Sequence, residues 1–258
     1  MTGTAAVARR RFATPETAAV AALAAGAWVG LAGLSRGMPS MTGTMGLAAW
    51  EFVPAWTLMM AAMMLPAVGV TGSVYARTIV TNRPARLAGL VAGYLVVWAA
   101  AGVPALALAS LAGRLASDHR GMAHSVAVGV FALGGIYQLT PLKDRCLARC
   151  RSPLGLVMRY GSYHGKFRDV RVGIHHGAYC LACCWALMAL LVAVGVMNLL
   201  AMVGIGALVV AEKLWARGPA AGRLAGLALI ALAVTVIWVP SLAPGLDPGS
   251  MGHTAVLR

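Results

Sequence analysis

The sequence contains few acidic residues and few charged residues of any kind. Only 7 Asp and Glu stand against 21 Lys and Arg, and charged residues make up 11% of the 258-residue chain. Aromatic residues are also scarce, at 7%, and they are not interleaved with the basic residues as a stacking surface for nucleic acid requires. No glycine-rich loop for nucleotide phosphates is present. These absences argue against nucleic acid as a partner and against ATP-driven pumping as an activity.

Long hydrophobic runs dominate what is present. Hydrophobic residues make up 60% of the chain, and the mean hydropathy is +0.80. The apolar runs follow one another with short polar breaks and no insert typical of a soluble domain. We therefore predict one membrane domain over 1–258, an all-α polytopic bundle of transmembrane helices. The Lys and Arg residues lie mainly in the breaks, where positive charge keeps a loop in the cytoplasm.

The apolar runs and the basic breaks together predict the membrane topology. Three arginines precede the first run, so the N-terminal tail, 1–16, is placed in the cytoplasm. The most basic segment, 143–176, is predicted to be a cytoplasmic loop, and a Pro/Gly-rich C-terminal tail covers 240–258. The predicted spans are 17–34, 53–76, 87–113, 123–142, 177–197, 199–216 and 222–239.

The number of spans depends on one apolar stretch, 181–211. As a single helix it would rise roughly 46 Å, more than a membrane core needs. A tight turn at Met197 and Asn198 would divide it into two spans and give seven in all, whereas a single tilted helix gives six. We favour seven because Lys213 and Arg217 then lie in the cytoplasm. The C-terminal tail is outside with seven spans and inside with six.

The second predicted span contains four methionines within six consecutive positions. On a helix, Met59 and Met63 lie one turn apart on one face, and Met60 and Met64 lie on the adjacent face. Thioether sulfur is a soft, neutral ligand that favours Cu(I) and needs no deprotonation in a medium of low dielectric. The pattern therefore predicts a site for Cu(I) or another soft metal ion. The alternative is that flexible methionines fill gaps beside Pro66.

The distribution of methionine along the chain favours a ligand role over packing. Half of the 14 methionines fall between positions 38 and 64. Three of them, Met38, Met41 and Met45, lie in the predicted outer loop, which has no core to fill. Methionine suits the collection of a soft ion in an oxidising compartment, where cysteine would be lost to disulfides. We expect this loop to collect the metal.

All five cysteines are predicted to lie on or near the cytoplasmic side, where thiols stay reduced and serve metal binding or redox chemistry. Two to four thiolates could close a trigonal or tetrahedral site, with His175 or His176 as a reserve ligand. Alternatively, the cysteines pack as small apolar side chains and the histidines are solvated at the interface. The cysteines form a C-x-x-x-C group and a C-x-x-C-C group, each on one helical face: Cys146 and Cys150, and Cys180, Cys183 and Cys184.

Four polar residues within or near the predicted spans have structural interpretations. Glu51, Asn198 and Glu212 are predicted to be helix caps or interfacial residues. Gln138 lies deeper and is predicted to hydrogen-bond between helices. None of the four is assigned to the metal site.

Four segments resemble a known family of bacterial integral membrane proteins. They read WTLMMAAMMLPA (56–67), GIYQLTPLKDRCLARCRSP (135–153), HHGAYCLACCWALMALLVAVGVMNL (175–199) and the pair Glu212 and Lys213. The family consists of predicted metal-binding proteins of unknown function, some of them labelled copper chaperones. The resemblance implies a bacterial cytoplasmic (inner) membrane protein, and the residues that match the family's motifs are Met59, Met60, Met63, Met64, Cys146, Cys150, Cys180, Cys183 and Cys184.

Three functions remain open. The leading hypothesis is a protein that binds Cu(I) and moves or delivers it, with a copper-handling protein as a partner. The second is a membrane thiol oxidoreductase that uses Cys180 with Cys183 or Cys184 as its dithiol and exchanges electrons with a quinone or with Cys146 and Cys150. The third is a non-catalytic assembly partner whose basic loop contacts anionic lipid headgroups or an acidic subunit. Catalysis is not the favoured interpretation.

Overall fold

The chain is mainly helical in the part that a computed structural model describes, residues 15–37, 43–44, 46–161, 163–239 and 242. These residues contain nine helices and no strand, which confirms the predicted all-α fold. In chain order the helices are α1 (Pro15–Gly37), α2 (Ala49–Ala76), α3 (Arg83–Asp118), α4 (Arg120–Gln138), α5 (Pro141–Cys150), α6 (Pro153–Tyr160), α7 (Arg168–Val194), α8 (Leu199–Leu214) and α9 (Gly218–Trp238).

Five of these helices are long and apolar enough to cross a membrane, namely α1, α2, α3, α7 and α9. Helices α4 and α5 together qualify as a sixth span, although the chain bends by 65° between them. Helix α8 has 16 residues and rises about 24 Å, less than the roughly 30 Å of a hydrocarbon core. The described helices therefore provide five or six candidate spans. They support a membrane protein and do not confirm seven spans.

The helix ends follow capping signals in the sequence. Asn198 caps α8 by accepting a hydrogen bond from the backbone N–H of Ala201. The Glu51 carboxylate accepts one from the backbone N–H at the start of α2, so both predicted caps are confirmed. Helix α7 ends before Gly195, whose φ of 107° is readily adopted only by glycine. The apolar stretch 181–211 is thus divided into two helices, as predicted.

The basic segment 143–176, predicted to be a cytoplasmic loop, contains regular helices. Most of the segment lies in α5, α6 and the first turns of α7. Both short helices begin with proline after a capping residue, Thr140 for α5 and Ser152 for α6. Helix α5 packs against α7. The first pair of cysteines is therefore held by a packed helix.

Glycines let α3 and α7 approach each other closely. A Cβ placed on Gly93 or Gly173 would lie only 2.1 Å from a backbone carbonyl oxygen of the opposite helix. One turn beyond Gly173, a Cβ on Gly177 would lie 3.2 Å from the carbonyl oxygen of Tyr94. Small residues four positions apart are typical of tight helix crossings in membranes. The crossing sets Tyr94 against the face of α7 that carries the second group of cysteines.

A buried ion pair connects α5 with α8. Lys143 Nζ donates to Glu212 Oε1 at 2.6 Å, and both side chains are 1% exposed. Gln138 of α4 donates to the same carboxylate oxygen at 3.0 Å and accepts from Lys143, which confirms its predicted hydrogen bond between helices. The Glu212 side chain is buried in this network and does not act as the predicted helix cap. Its ionic partner lies 69 positions away, so the local sequence does not reveal the pairing.

A second polar network holds together the adjoining ends of α2, α3 and α7. Asp169 accepts a hydrogen bond from the Tyr75 hydroxyl at 2.5 Å and others from the Arg86 guanidinium at 3.0 to 3.2 Å. The network fixes the beginning of α7, the helix that carries the second group of cysteines.

Candidate metal centre

The four methionines of α2 lie inside the protein and do not face lipid. Each is at most 1% exposed. Met63 packs against α8 at Gly206, where an added Cβ would lie 3.6 Å from Met63 Cγ. Glycine at that position leaves room for the long side chain. The helical spacing thus stacks two pairs of thioethers in the interior: Met59 with Met63, and Met60 with Met64.

Lys213 of α8 lies between a thioether and a thiol. Its Nζ is 2.7 Å from Cys180 Sγ and 4.0 Å from Met64 Sδ. The Tyr94 hydroxyl is 2.9 Å from the same Cys180 Sγ, and Lys213 is only 8% exposed. Sequence reasoning did not assign Lys213 or Tyr94 to the site. One feature of the sequence could have identified Lys213: it follows Glu212 at the end of an otherwise apolar run. A charged residue within a membrane segment often marks a functional site.

The two groups of cysteines meet where α5 packs on α7. Cys150 Sγ is 3.8 Å from Cys183 Sγ. The thiols of Cys183 and Cys184 both donate to the carbonyl oxygen of Cys180, at 3.2 and 2.8 Å. These four cysteines are buried, whereas Cys146 is half-buried, and none of the five forms a disulfide. Cys150, Cys180, Cys183 and Cys184 therefore form one buried thiol cluster, with Cys146 one turn away at its edge.

The adjacent histidines face different surroundings. His176 is buried beside the ring of Tyr94, with the ring centroids 5.9 Å apart. His175 is exposed and contacts the rings of Tyr160 and Tyr163 edge-on, at 5.3 and 6.0 Å. Of the two predicted reserve ligands, only His176 lies next to a residue that touches the thiol cluster.

The predicted ligands are not arranged as a preformed coordination sphere. Among the residues that the structure describes, no group of three or more His, Cys, Asp or Glu side chains could hold a metal ion without rearrangement. Met38, Met41 and Met45 lie outside the described residues. A soft ion bound in this interior would need thioether ligands, movement of side chains, or both. The donors themselves suit a soft ion, because sulfur predominates.

The apolar helices and the buried sulfur atoms define a polytopic helical membrane protein with a sulfur-rich interior. A family model described as "Copper chaperone" (PpoB2) matches residues 53–236, and the chain belongs to this family. The resemblance seen in the sequence motifs is thereby confirmed. The matched range includes the methionines of α2 and all five cysteines and begins after the outer methionines. No curated protein and no solved structure matches the chain.

Proposed function

We propose that this protein binds Cu(I) through methionine and cysteine sulfur and moves or delivers the ion across part of the membrane. Membership of a family described as copper chaperones indicates copper handling. The burial of all four α2 thioethers supports an interior site. Thioethers that faced lipid could not bind the same metal ion as the cysteines. One observation supports the proposal most directly: Lys213 Nζ lies within 4.0 Å of both Met64 Sδ and Cys180 Sγ, so a thioether and a thiol surround the same cation.

Lys213 occupies the position in which a bound cation would contact both sulfurs. Its ammonium group carries one positive charge, as Cu(I) does. Replacing the ammonium group with Cu(I) at these two sulfurs would leave the charge of the buried region unchanged, whereas a divalent ion would add a charge in a low-dielectric interior. Binding therefore requires the Lys213 side chain to move away from Cys180. This exchange favours a monovalent soft ion over a divalent one.

The proposed path runs from neutral to ionisable sulfur. Met38, Met41 and Met45 collect the ion outside, the α2 thioethers hold it within the bilayer, and the thiol cluster receives it, with Cys146 and His176 as further ligands. Thiolates bind soft ions more strongly than thioethers, so affinity would rise along the path. His175 is the weakest candidate, because it faces Tyr160 and Tyr163.

The proposed setting is the bacterial inner membrane, with the N-terminal tail in the cytoplasm and the thiol cluster at the cytoplasmic side. Seven spans would require α8 to cross as a short helix in a locally thinned bilayer. The basic segment 143–176 would contact anionic lipid headgroups. A soluble copper-handling protein would exchange the ion at the same side.

Replacing the four α2 methionines with leucine tests the copper site. The protein, purified under reducing and anaerobic conditions, is incubated with Cu(I) and a competing chelator, and retained copper is measured by mass spectrometry. We expect stoichiometric copper in the original protein and background copper in the variant, because leucine keeps the volume and removes the ligand. Met188→Leu replaces a buried methionine of α7 and serves as the matched control, which should retain copper. Full retention by the quadruple variant, with unchanged helix content, would contradict the proposal.

A thiol oxidoreductase is the second candidate, and one distance favours it. Cys150 and Cys183 lie 3.8 Å apart at sulfur, close enough to join after a small movement. Forming that disulfide removes two protons and two electrons, which a quinone would accept to become a hydroquinone. Thiol titration before and after incubation with a quinone separates the candidates. A metal-free protein that loses two thiols per cycle supports the enzyme, and a copper-retaining protein with five constant thiols supports the carrier.

A further inference from the structure

A basic pocket opens beside the thiol cluster, between α5, α6 and α7. Its volume is about 320 Å³. Arg149 and Arg159 line it together with Tyr160, His176 and Tyr179. Most of its lining belongs to the basic segment 143–176, and the His176 ring that borders it also lies beside the ring of Tyr94. The proposed copper path uses His176 but leaves the two arginines of this pocket without a role.

Two guanidinium groups converge in this pocket on one neutral oxygen. Arg149 and Arg159 donate to the Tyr179 hydroxyl at 2.7 and 2.9 Å. The Arg149 guanidinium also lies 4.9 Å from the centre of the Tyr179 ring. Two positive charges this close repel each other, and a phenol oxygen offsets little of that repulsion. The arrangement lacks an anion.

The residues that the structure describes supply no carboxylate to these arginines. Neither Arg149 nor Arg159 takes part in an ion pair among the described residues. The acidic side chains of the neighbouring helices are engaged elsewhere: Asp144 with Arg223, Asp169 with Arg86 and Arg168, and Glu212 with Lys143. The chain has 7 acidic residues against 21 basic ones, and no described carboxylate pairs with these two arginines, which favours a counter-ion from another molecule.

A buried hydroxyl points to the same conclusion. Tyr160 is 4% exposed, and its hydroxyl donates no hydrogen bond within the described part of the chain, although the Arg159 guanidinium lies beside the phenol oxygen. A buried hydroxyl whose proton has no acceptor costs free energy unless a ligand accepts it. Tyr160 borders the pocket that contains the two guanidinium groups. The pocket thus combines two exposed guanidinium cations with an unused hydrogen-bond donor.

We propose that this pocket binds a phosphate group, either the headgroup phosphate of an anionic lipid or free inorganic phosphate. Guanidinium groups bind phosphate oxygens through paired, charge-assisted hydrogen bonds. Arg149 and Arg159 would turn from Tyr179 toward the phosphate, and the Tyr160 hydroxyl would donate a third hydrogen bond. The inference does not depend on copper binding.

The test compares two double variants of equal charge. Arg149→Gln with Arg159→Gln removes the pocket cations, and Arg145→Gln with Arg171→Gln removes two exposed arginines that form no described ion pair. The purified proteins are placed in phosphatidylcholine nanodiscs and titrated with labelled inorganic phosphate. In a second arm, phosphatidylglycerol retained through detergent purification is measured by native mass spectrometry. Tyr160→Phe removes the hydroxyl alone and serves if the first double variant does not fold.

We expect the pocket variant to lose binding by at least about tenfold, from the loss of two charge-assisted hydrogen bonds, and the control pair to keep it. Tyr160→Phe should weaken binding several-fold, about the effect of one hydrogen bond. Retention of phosphatidylglycerol without phosphate uptake identifies a lipid headgroup as the ligand, and phosphate uptake in neutral nanodiscs identifies free phosphate. Equal binding in pocket and control variants, or no binding of either probe by the original protein, would overturn the proposal.

Discussion

A Lys143→Met variant is expected to lose about 3–5 kcal/mol of stability, a large share of the stability of a folded chain. The change leaves the Glu212 carboxylate buried without its counter-charge, because Lys143 is its ion-pair partner and both side chains are 1% exposed. The loss would also loosen α8, which carries Lys213. Thermal unfolding in a mild detergent, followed by circular dichroism, measures the effect.

Two further variants separate charge burial from packing. Replacing Gln138, Lys143 and Glu212 together by Leu, Met and Met removes every side-chain member of the network, so no buried polar side chain of the network is left alone. The stability of this triple variant should be close to that of the original protein. Arg223→Met breaks an exposed ion pair with Asp144 and should cost less than about 1 kcal/mol. A triple variant as unstable as Lys143→Met would show that the loss comes from packing.

Gly173→Ala is the second change with a large expected effect. The added Cβ would lie 2.1 Å from the carbonyl oxygen of Leu90, so α3 and α7 must separate. We expect a loss of about 3 kcal/mol or more, together with loss of the contact between Tyr94 and Cys180. The yield of folded protein and its melting temperature provide the measurement.

A glycine without close neighbours provides the matched control for that change. A Cβ on Gly204 of α8 would meet nothing within 4 Å. Gly204→Ala should leave stability unchanged or raise it by about 0.5–1 kcal/mol, since alanine is the better residue within a helix. Equal behaviour of the two alanine variants would contradict the tight crossing of α3 and α7.

The features that follow local rules could be predicted from the sequence. Apolar runs and basic breaks located the long helices, and Asn198 marked the division between α7 and α8 because capping depends on neighbours in the chain. The four methionines share a helix, so their stacking followed from helical spacing alone. Their burial was a hypothesis that the helix packing supports.

The features that depend on long-range pairing could not be predicted in the same way. Lys143 was predicted to begin a cytoplasmic loop and Glu212 to be a cap or an interfacial residue, and the folded chain pairs them in a buried ion pair. Lys213 meets Met64 from a position 149 residues away. The glycines of α3 and α7 carried a recognisable spacing, yet spacing does not say which helix lies opposite. Arg149 and Arg159 belonged to a segment expected to be a loop, so their convergence required the two short helices.

X-ray absorption at the copper edge, on protein loaded anaerobically with Cu(I), tests the central claim most directly. The claim is that the α2 thioethers and the thiol cluster serve one ion in the interior, with the Lys213 nitrogen displaced. The spectrum is then expected to contain sulfur as the predominant nearest neighbour, and the signal should change in the Met59, Met60, Met63 and Met64→Leu variant. A spectrum dominated by nitrogen or oxygen neighbours, or one that the leucine variant leaves unchanged, would contradict the account.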